Sequence, residues 1–201
     1  AQGGRALASV LFGEYSPEGK LPVTFYRTTE ELPAFTDYAM KGRTYRYMTQ
    51  KALYPFGYGL SYTDFELSGV SLSQDTVAKD SEITVKAMLK NTGTMAGAET
   101  VQVYVKSCRE DAPNAQLKAL KKVHLALGEE KEVALTLSAK SFGLHNENGD
   151  MVLEAGEYLV YVGTQQPDAR SRELTGKQPE CRKVTAAQTE VLEPVCLDSR
   201  G

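Results

Sequence analysis

The sequence of 201 residues contains no tryptophan and only two histidines. No stretch of it approaches the roughly 20 apolar residues that a membrane-crossing helix requires. Its three cysteines, Cys108, Cys181 and Cys196, are widely spaced, cannot all pair with one another and form no CxxC or Cys/His ligand spacing. Unpaired thiols are therefore expected, which favours a cytoplasmic over a secreted setting. The N-terminus has neither the charged nor the apolar region of a signal peptide. It begins Ala1-Gln-Gly-Gly without methionine, which suits a fragment as well as a mature protein. A formal charge of -3, with acids and bases intermixed, excludes a nucleic-acid footprint, and neither a nucleic acid nor a membrane is expected as a partner. With 41% hydrophobic residues the chain can bury a core without disulfide or metal staples.

What is present divides by pattern. In Gly3-Gly-Arg-Ala-Leu-Ala-Ser-Val-Leu-Phe-Gly13, Leu7, Val10 and Leu11 recur at helical spacing and Gly13 stands where a helix ends. Ser16-Pro-Glu-Gly19 suits a type I turn, and Lys20 to Phe25 reads as a strand that Pro22 confines to an edge or an entry. One helix, one turn and one strand bury too little apolar surface to offset their chain entropy, so residues 1–38 read as the C-terminal end of a larger α/β domain. Periodicity is lost from Thr28 to Thr49, and residues 39–60 are expected as an interdomain connector.

From residue 61 to 165 the period is two. Ile83, Val85, Ala87 and Leu89 share one face; Val101, Val103 and Val105 follow after Asn91-Thr-Gly93; then Val123, Leu125 and Leu127, and Val133, Leu135 and Leu137. Asn146-Glu-Asn-Gly-Asp150 marks a hairpin before Met151 to Glu154, and Gly156 to Gly163 closes the series. Roughly seven short strands with turn signals between them predict a mainly β fold, an antiparallel sandwich of the immunoglobulin or fibronectin type III kind. Residues 166–201, polar and weakly patterned, are expected as an extended tail packed on a neighbour or partly disordered.

The order of several motifs carries a resemblance. Gly3 to Gly13, Pro17-Glu-Gly-Lys-Leu-Pro-Val-Thr-Phe25, Gly42-Arg-Thr-Tyr-Arg-Tyr47 and Tyr54-Pro-Phe-Gly-Tyr-Gly-Leu-Ser-Tyr-Thr63 resemble the C-terminal part of family 3 glycoside hydrolases, the β-glucosidases and β-xylosidases. Lys90-Asn-Thr-Gly93, Gly97 to Val105, Leu117 to Val123 and Ala155-Gly-Glu-Tyr158 resemble the fibronectin type III-like domain that ends many members. The resemblance implies a barrel and an α/β sandwich domain upstream, and a retaining mechanism with an aspartate nucleophile and a glutamate acid/base about 5–5.5 Å apart. The nucleophile's Ser-Asp-Trp type motif has no counterpart in a chain without tryptophan, and no glutamate here matches the acid/base. The chain is thus expected to be a non-catalytic, stabilising portion whose partners are the upstream catalytic domains, with β-linked oligosaccharide bound only through those domains. A carbohydrate- or surface-binding module is the alternative. Whether the sugar is glucose or xylose is not legible.

The remaining candidates for chemistry have plainer readings. Glu30-Glu31 and Glu129-Glu130 are sequence neighbours that diverge, so they read as solvated turn charges instead of an opposed acid and base. His124 and His145 lack a third ligand at metal spacing, and no cofactor is implied. Gly57-Tyr-Gly59 lacks the lysine and full glycine spacing of a phosphate loop. Tyr54, Phe56, Tyr58 and Tyr62 are expected to fill a domain interface, with a sugar-stacking platform as the competing reading. Tyr45 stands with them, and Arg43 and Arg46 are expected to pin the connector to the α/β domain by an ion pair or stacking.

Overall fold

The structure, a computed structural model, describes residues 2–195; Cys196 lies outside them. Helix α1 spans Gly3–Leu11 and ends at Gly13, whose φ of 73° places it in the left-handed region that a residue without Cβ adopts freely. Much of its apolar surface is left open: Leu7, Leu11 and Phe12 are exposed and the helix fully buries no residue.

The predicted type I turn at Ser16–Gly19 does not close. Ser16 is instead drawn into a long-range contact, with its Oγ 2.8 Å from Ser61 Oγ and accepting from the Tyr62 N–H at 2.9 Å. The strand expected over residues 20–25 is an interrupted pairing with the connector. Leu21 and Phe25 donate to the carbonyls of Tyr58 and Tyr54, while Gly57 and Leu53 donate back to Leu21 and Phe25. Pro55 lacks the N–H that would face Val23, so the rung between cannot form.

The sandwich has two principal sheets. Strands β1 (Phe65–Leu72), β2 (Glu82–Asn91) and β5 (Glu130–Ser138) form one in the order β1-β2-β5. The other contains β3 (Gly97–Ser107), β4 (Gln116–Leu125), β8 (Gly156–Gly163) and β9 (Glu180–Ala186) in the order β4-β3-β8-β9. A small third sheet joins β6 (Leu144–His145), β7 (Met151–Leu153) and β10 (Glu190–Glu193). All named strand pairs are antiparallel.

The alternation in β2 is realised residue by residue. Ile83, Val85, Ala87 and Leu89 are buried against Val101, Val103, Val160, Val162 and Val184 of the facing sheet. Each such valine or leucine contributes about 1.5–3 kcal/mol on burial, which makes this single core the main source of stability. Leu127, placed on the apolar face of a strand by its spacing, is exposed, because the chain turns at Ala126–Glu129 as soon as β4 ends.

The described stretch after Gln165, to residue 195, is not a tail. It forms helix α3 (Ala169–Thr175), with Asp168 accepting from the Ser171 N–H at its start and Gly176 at φ 69° at its end, then β9, which pairs with β8 from Gly156 to Val162. Val184 and Ala186 enter the core while Cys181, Lys183 and Thr185 face solvent. An edge strand of this length with only two buried positions leaves little periodicity to detect. We expect Val184→Ala to lower unfolding stability in urea by about 1–3 kcal/mol, while Lys183→Ala has a much smaller effect. Equal effects of the two would show that β9 is peripheral.

Candidate functional site

Strand β3 is buried on both faces. Val101, Val103 and Val105 point into the core, while Gln102 and Tyr104 point the other way and are still only 2% and 0% exposed. The cover is the connector. Tyr45, in the short helix α2 (Thr44–Tyr47), stacks on Phe56 at 4.1 Å between ring centroids and meets Tyr104 edge-on at 6.4 Å. Beneath them Tyr104 donates to Gln102 Oε1 at 2.6 Å, and Gln102 Nε2 donates to the Gly57 carbonyl at 3.2 Å and the Thr164 carbonyl at 3.1 Å. Burial pushes the Tyr104 phenol well above the usual tyrosine range, so it remains a donor at any physiological pH.

Gly57 is at φ 77°, and a Cβ there would sit 2.6 Å from Gln102 Oε1 and 2.8 Å from the Tyr104 hydroxyl. Both backbone conformation and space therefore demand glycine. A Cβ on Gly59 would collide with the backbone carbonyl of Gly19.

Asn114 caps α2 from the loop between β3 and β4. Its side-chain amide donates to the carbonyls of Tyr45 (3.1 Å) and Met48 (2.9 Å), and its backbone N–H to that of Arg46 (2.8 Å), satisfying carbonyls that the helix end leaves open. The Leu117 N–H donates to the Tyr45 hydroxyl at 3.2 Å, and Arg170 of α3 donates twice to the Leu53 carbonyl at 3.2 Å. Connector, β3, β4 and α3 thus share one hydrogen-bonded contact.

Of the residues singled out in the sequence, Tyr45 and Phe56 meet on Tyr104. Arg46 lies 6.0 Å from the Tyr45 ring centre, so its stacking is within the connector. Tyr54 and Tyr58 form a separate stack at 5.6 Å, with Phe25 edge-on to Tyr54 at 6.5 Å. The Tyr62 hydroxyl donates to the Val10 carbonyl at 3.1 Å, joining α1 to the start of the sandwich. Arg43 reaches back across the start of the connector to residues 1–38, donating to the Asp37 carbonyl and lying 3.9 Å from its carboxylate. Gln102, Tyr104, Asn114 and Arg170 were not indicated by pattern, because alternation assigns the second face of β3 to solvent. The Asp168 cap three residues before Ser171 is the sequence signal by which the missed helix α3 could have been found.

The paired acids are held locally. Arg27 donates to Glu31 at 2.5 Å, and this hydrogen bond holds the carboxyl below its usual range. Glu129 accepts from the Ala126 N–H at 2.7 Å, and its hydrogen bond with Lys131 likewise lowers it. His124 is exposed beside Glu18 (3.7 Å), and His145 lies on β6. Among the described residues no three His, Cys, Asp or Glu side chains converge as metal ligands, and no helix is long and apolar enough to cross a membrane.

Between the connector, α3 and the outer face of the sheet lies a cavity of about 470 Å³, walled by Tyr45, Met48, Pro55, Asn114, Tyr161 and Gln166 among others. Desolvation raises the carboxyl of Asp168 in its wall above the usual range.

A short α/β segment fastened by an aromatic connector to a fibronectin type III-like sandwich defines the C-terminal architecture of a multidomain enzyme class. Residues 1–62 match the glycosyl hydrolase family 3 C-terminal domain and residues 99–166 the fibronectin type III-like domain. The chain is 40% identical over 177 residues to a xylan 1,4-beta-xylosidase of Xylanibacter ruminicola, covering 87% of this chain and 20% of that protein. It is 36% identical over 176 residues to a periplasmic beta-glucosidase of Salmonella typhimurium, covering 81% and 23%. A solved beta-glucosidase from Kluyveromyces marxianus superposes with a TM-score of 0.77 at 33% identity, over 96% of this chain and 24% of that one. The chain belongs to glycoside hydrolase family 3 and corresponds to the C-terminal region of its members. It spans about a fifth to a quarter of the length of these relatives.

Two outcomes test the geometry of the contact. Gly57→Ala should destabilise the fold by more than the roughly 1–3 kcal/mol of left-handed strain alone, and by more than Gly128→Ala, where φ is 72° but the space is open; denaturant midpoints compare them. Lys118, beside Arg46, has its pKa lowered from 10.5 by burial and then by that neighbouring cation. The folded state therefore binds fewer protons than the unfolded one just below that value, and stability rises with pH through the window. Lys118→Met should stabilise the fold at pH 7, with the advantage narrowing as the pH approaches 10.5.

Proposed function

We propose that this chain is the non-catalytic end of a retaining β-glycosidase acting on terminal β-D-glucosyl or β-D-xylosyl residues. Its own task is structural: the sandwich holds the connector, and the connector holds the last elements of the α/β domain in place. The exposed apolar surface carries this reading. Every exposed large aromatic among the described residues precedes Thr63, including Phe12, Phe25, Phe35, Tyr38 and Tyr54, whereas the sandwich strands expose none. An apolar face concentrated on the incomplete α/β segment is what a neighbouring domain would cover. Residues 1–38, 39–60 and the sandwich that follows are then the working units, with Tyr45, Tyr54, Phe56, Tyr58, Tyr62, Arg43 and Arg46 at or beside the interface.

The reactive carboxylates belong, on this reading, to upstream domains. The chain has no tryptophan and so no Ser-Asp-Trp motif, and one member of each adjacent acid pair singled out in the sequence, Glu31 and Glu129, is tied into local hydrogen bonds.

The isolated chain should release no nitrophenol from aryl β-glucosides or β-xylosides above the buffer rate; robust hydrolysis by pure chain would overturn the proposal. Removing residues 61–201 from the longer protein should lower its melting temperature and soluble yield while the surviving folded fraction keeps its kcat. An unchanged melting temperature would count against the structural role.

A further inference from the structure

The hydrogen bond from the Leu117 N–H to the Tyr45 hydroxyl, at 3.2 Å, joins two residues that are each followed by a cation, Lys118 and Arg46. The Arg46 carbonyl accepts from the Asn114 N–H at 2.8 Å, which fixes the end of α2 against the loop that leads into β4. Within β4, Leu117 pairs with Tyr104 and Ala119 with Val103, so Lys118 is the extra residue of a bulge and has no partner on β3. A bulge re-aims a side chain out of the regular pleat.

The backbone therefore places both cations, and nothing in this chain neutralises them. Among the described residues no carboxylate forms an ion pair with Arg46 or Lys118. Lys118 is half-buried, so its ammonium gives up part of its hydration beside a second positive charge. That is unfavourable for the chain by itself, and an anion set against the two groups reverses it.

Exposed apolar side chains flank the pair. Tyr47 follows Arg46, and Leu120 stands two residues beyond Lys118, opposite Gln102 on the face of the sheet that the connector covers. The open apolar surface of the connector thus continues onto the sandwich, and a surface that is apolar and carries a fixed, unneutralised charge suits a protein partner of opposite charge. The chain spans only about a fifth to a quarter of the length of its relatives, so most of the protein that such a surface would meet lies outside it.

We propose that Arg46 and Lys118 together receive a carboxylate from the part of the longer polypeptide that precedes this chain, so that the sandwich itself, and not only the connector, docks on the upstream domains. The proposal rests on the reading of this chain as the end of a multidomain glycosidase. A second copy of the chain is the other possible source of the anion, and the test separates the two.

The decisive measurement is the sign of one substitution in two settings. Lys118→Met is expected to raise the melting temperature of the isolated chain and to lower that of the longer protein by a few degrees; the same sign in both would overturn the docking contact. Arg46→Gln should also lower the melting temperature of the longer protein. Combined with Lys118→Met it should cost less than the sum of the two, because both groups serve one carboxylate; full additivity would overturn the shared partner. Carbodiimide coupling of the longer protein, followed by peptide mapping, should join Lys118 to an aspartate or glutamate that precedes Ala1. A Lys118 link only to acids within residues 2–195, or only between two copies of the protein, would overturn the assignment. If Lys118→Met stabilises both forms while removal of residues 61–201 still lowers the melting temperature, the structural role stands and only the docking contact falls.

Discussion

The contact between Gln102 and the Gly57 carbonyl, roofed by the stacked rings of Tyr45 and Phe56, is the constraint on which the arrangement depends. A central strand of a sandwich ordinarily spends one face on the core and gives the other to water. Here β3 gives its second face to the connector, and that choice buries a tyrosine hydroxyl and a glutamine amide that would otherwise be solvated. Burying them is tolerable only because each is satisfied: the phenol by the amide oxygen, the amide by two carbonyls. Removing any member leaves a buried polar group without a partner, so the network specifies one position for the connector.

The connector in turn decides the path of everything N-terminal to it. Its broken ladder with residues 21–25 holds the first segment by backbone hydrogen bonds, and Lys20 reaches Glu99 at 2.7 Å, both side chains being largely buried. The ion pairs on the surface, such as Lys86 with Glu132 or Lys183 with Glu157, are exposed, screened by solvent and contribute little. The pair at Glu99 differs because a lone carboxylate left there would be desolvated, so it acts chiefly to forbid other placements. Packing of aromatics and satisfaction of buried polar groups outweigh charge in joining the two parts.

The legible portion of the fold was that in which burial follows period. Ile83 through Leu89 and the valines of β3 announced their faces because one side of each strand meets only the core. Leu127 and the Ser16–Gly19 turn went astray where a local signal was overruled by chain geometry: a turn arriving two residues early, and a serine captured by Ser61 across the structure. The final strands were missed because β9 is an edge with two buried residues among charged ones. Two elements of the site, Gln102 and Tyr104, were illegible for a different reason. Polar residues at alternate positions look the same whether water or another segment covers them.

The sequence by itself determined the class of fold, through alternation and turn chemistry, and the family, through the order of its glycine, proline and aromatic motifs. Both are properties of local spacing along the chain. Only the tertiary structure decided that Phe56 lies on Tyr45 while Tyr54 lies on Tyr58, that Arg43 takes Asp37 as its partner, and that β9 completes the sheet. Those outcomes turn on which surfaces meet in space, a competition among packing alternatives that spacing alone does not rank.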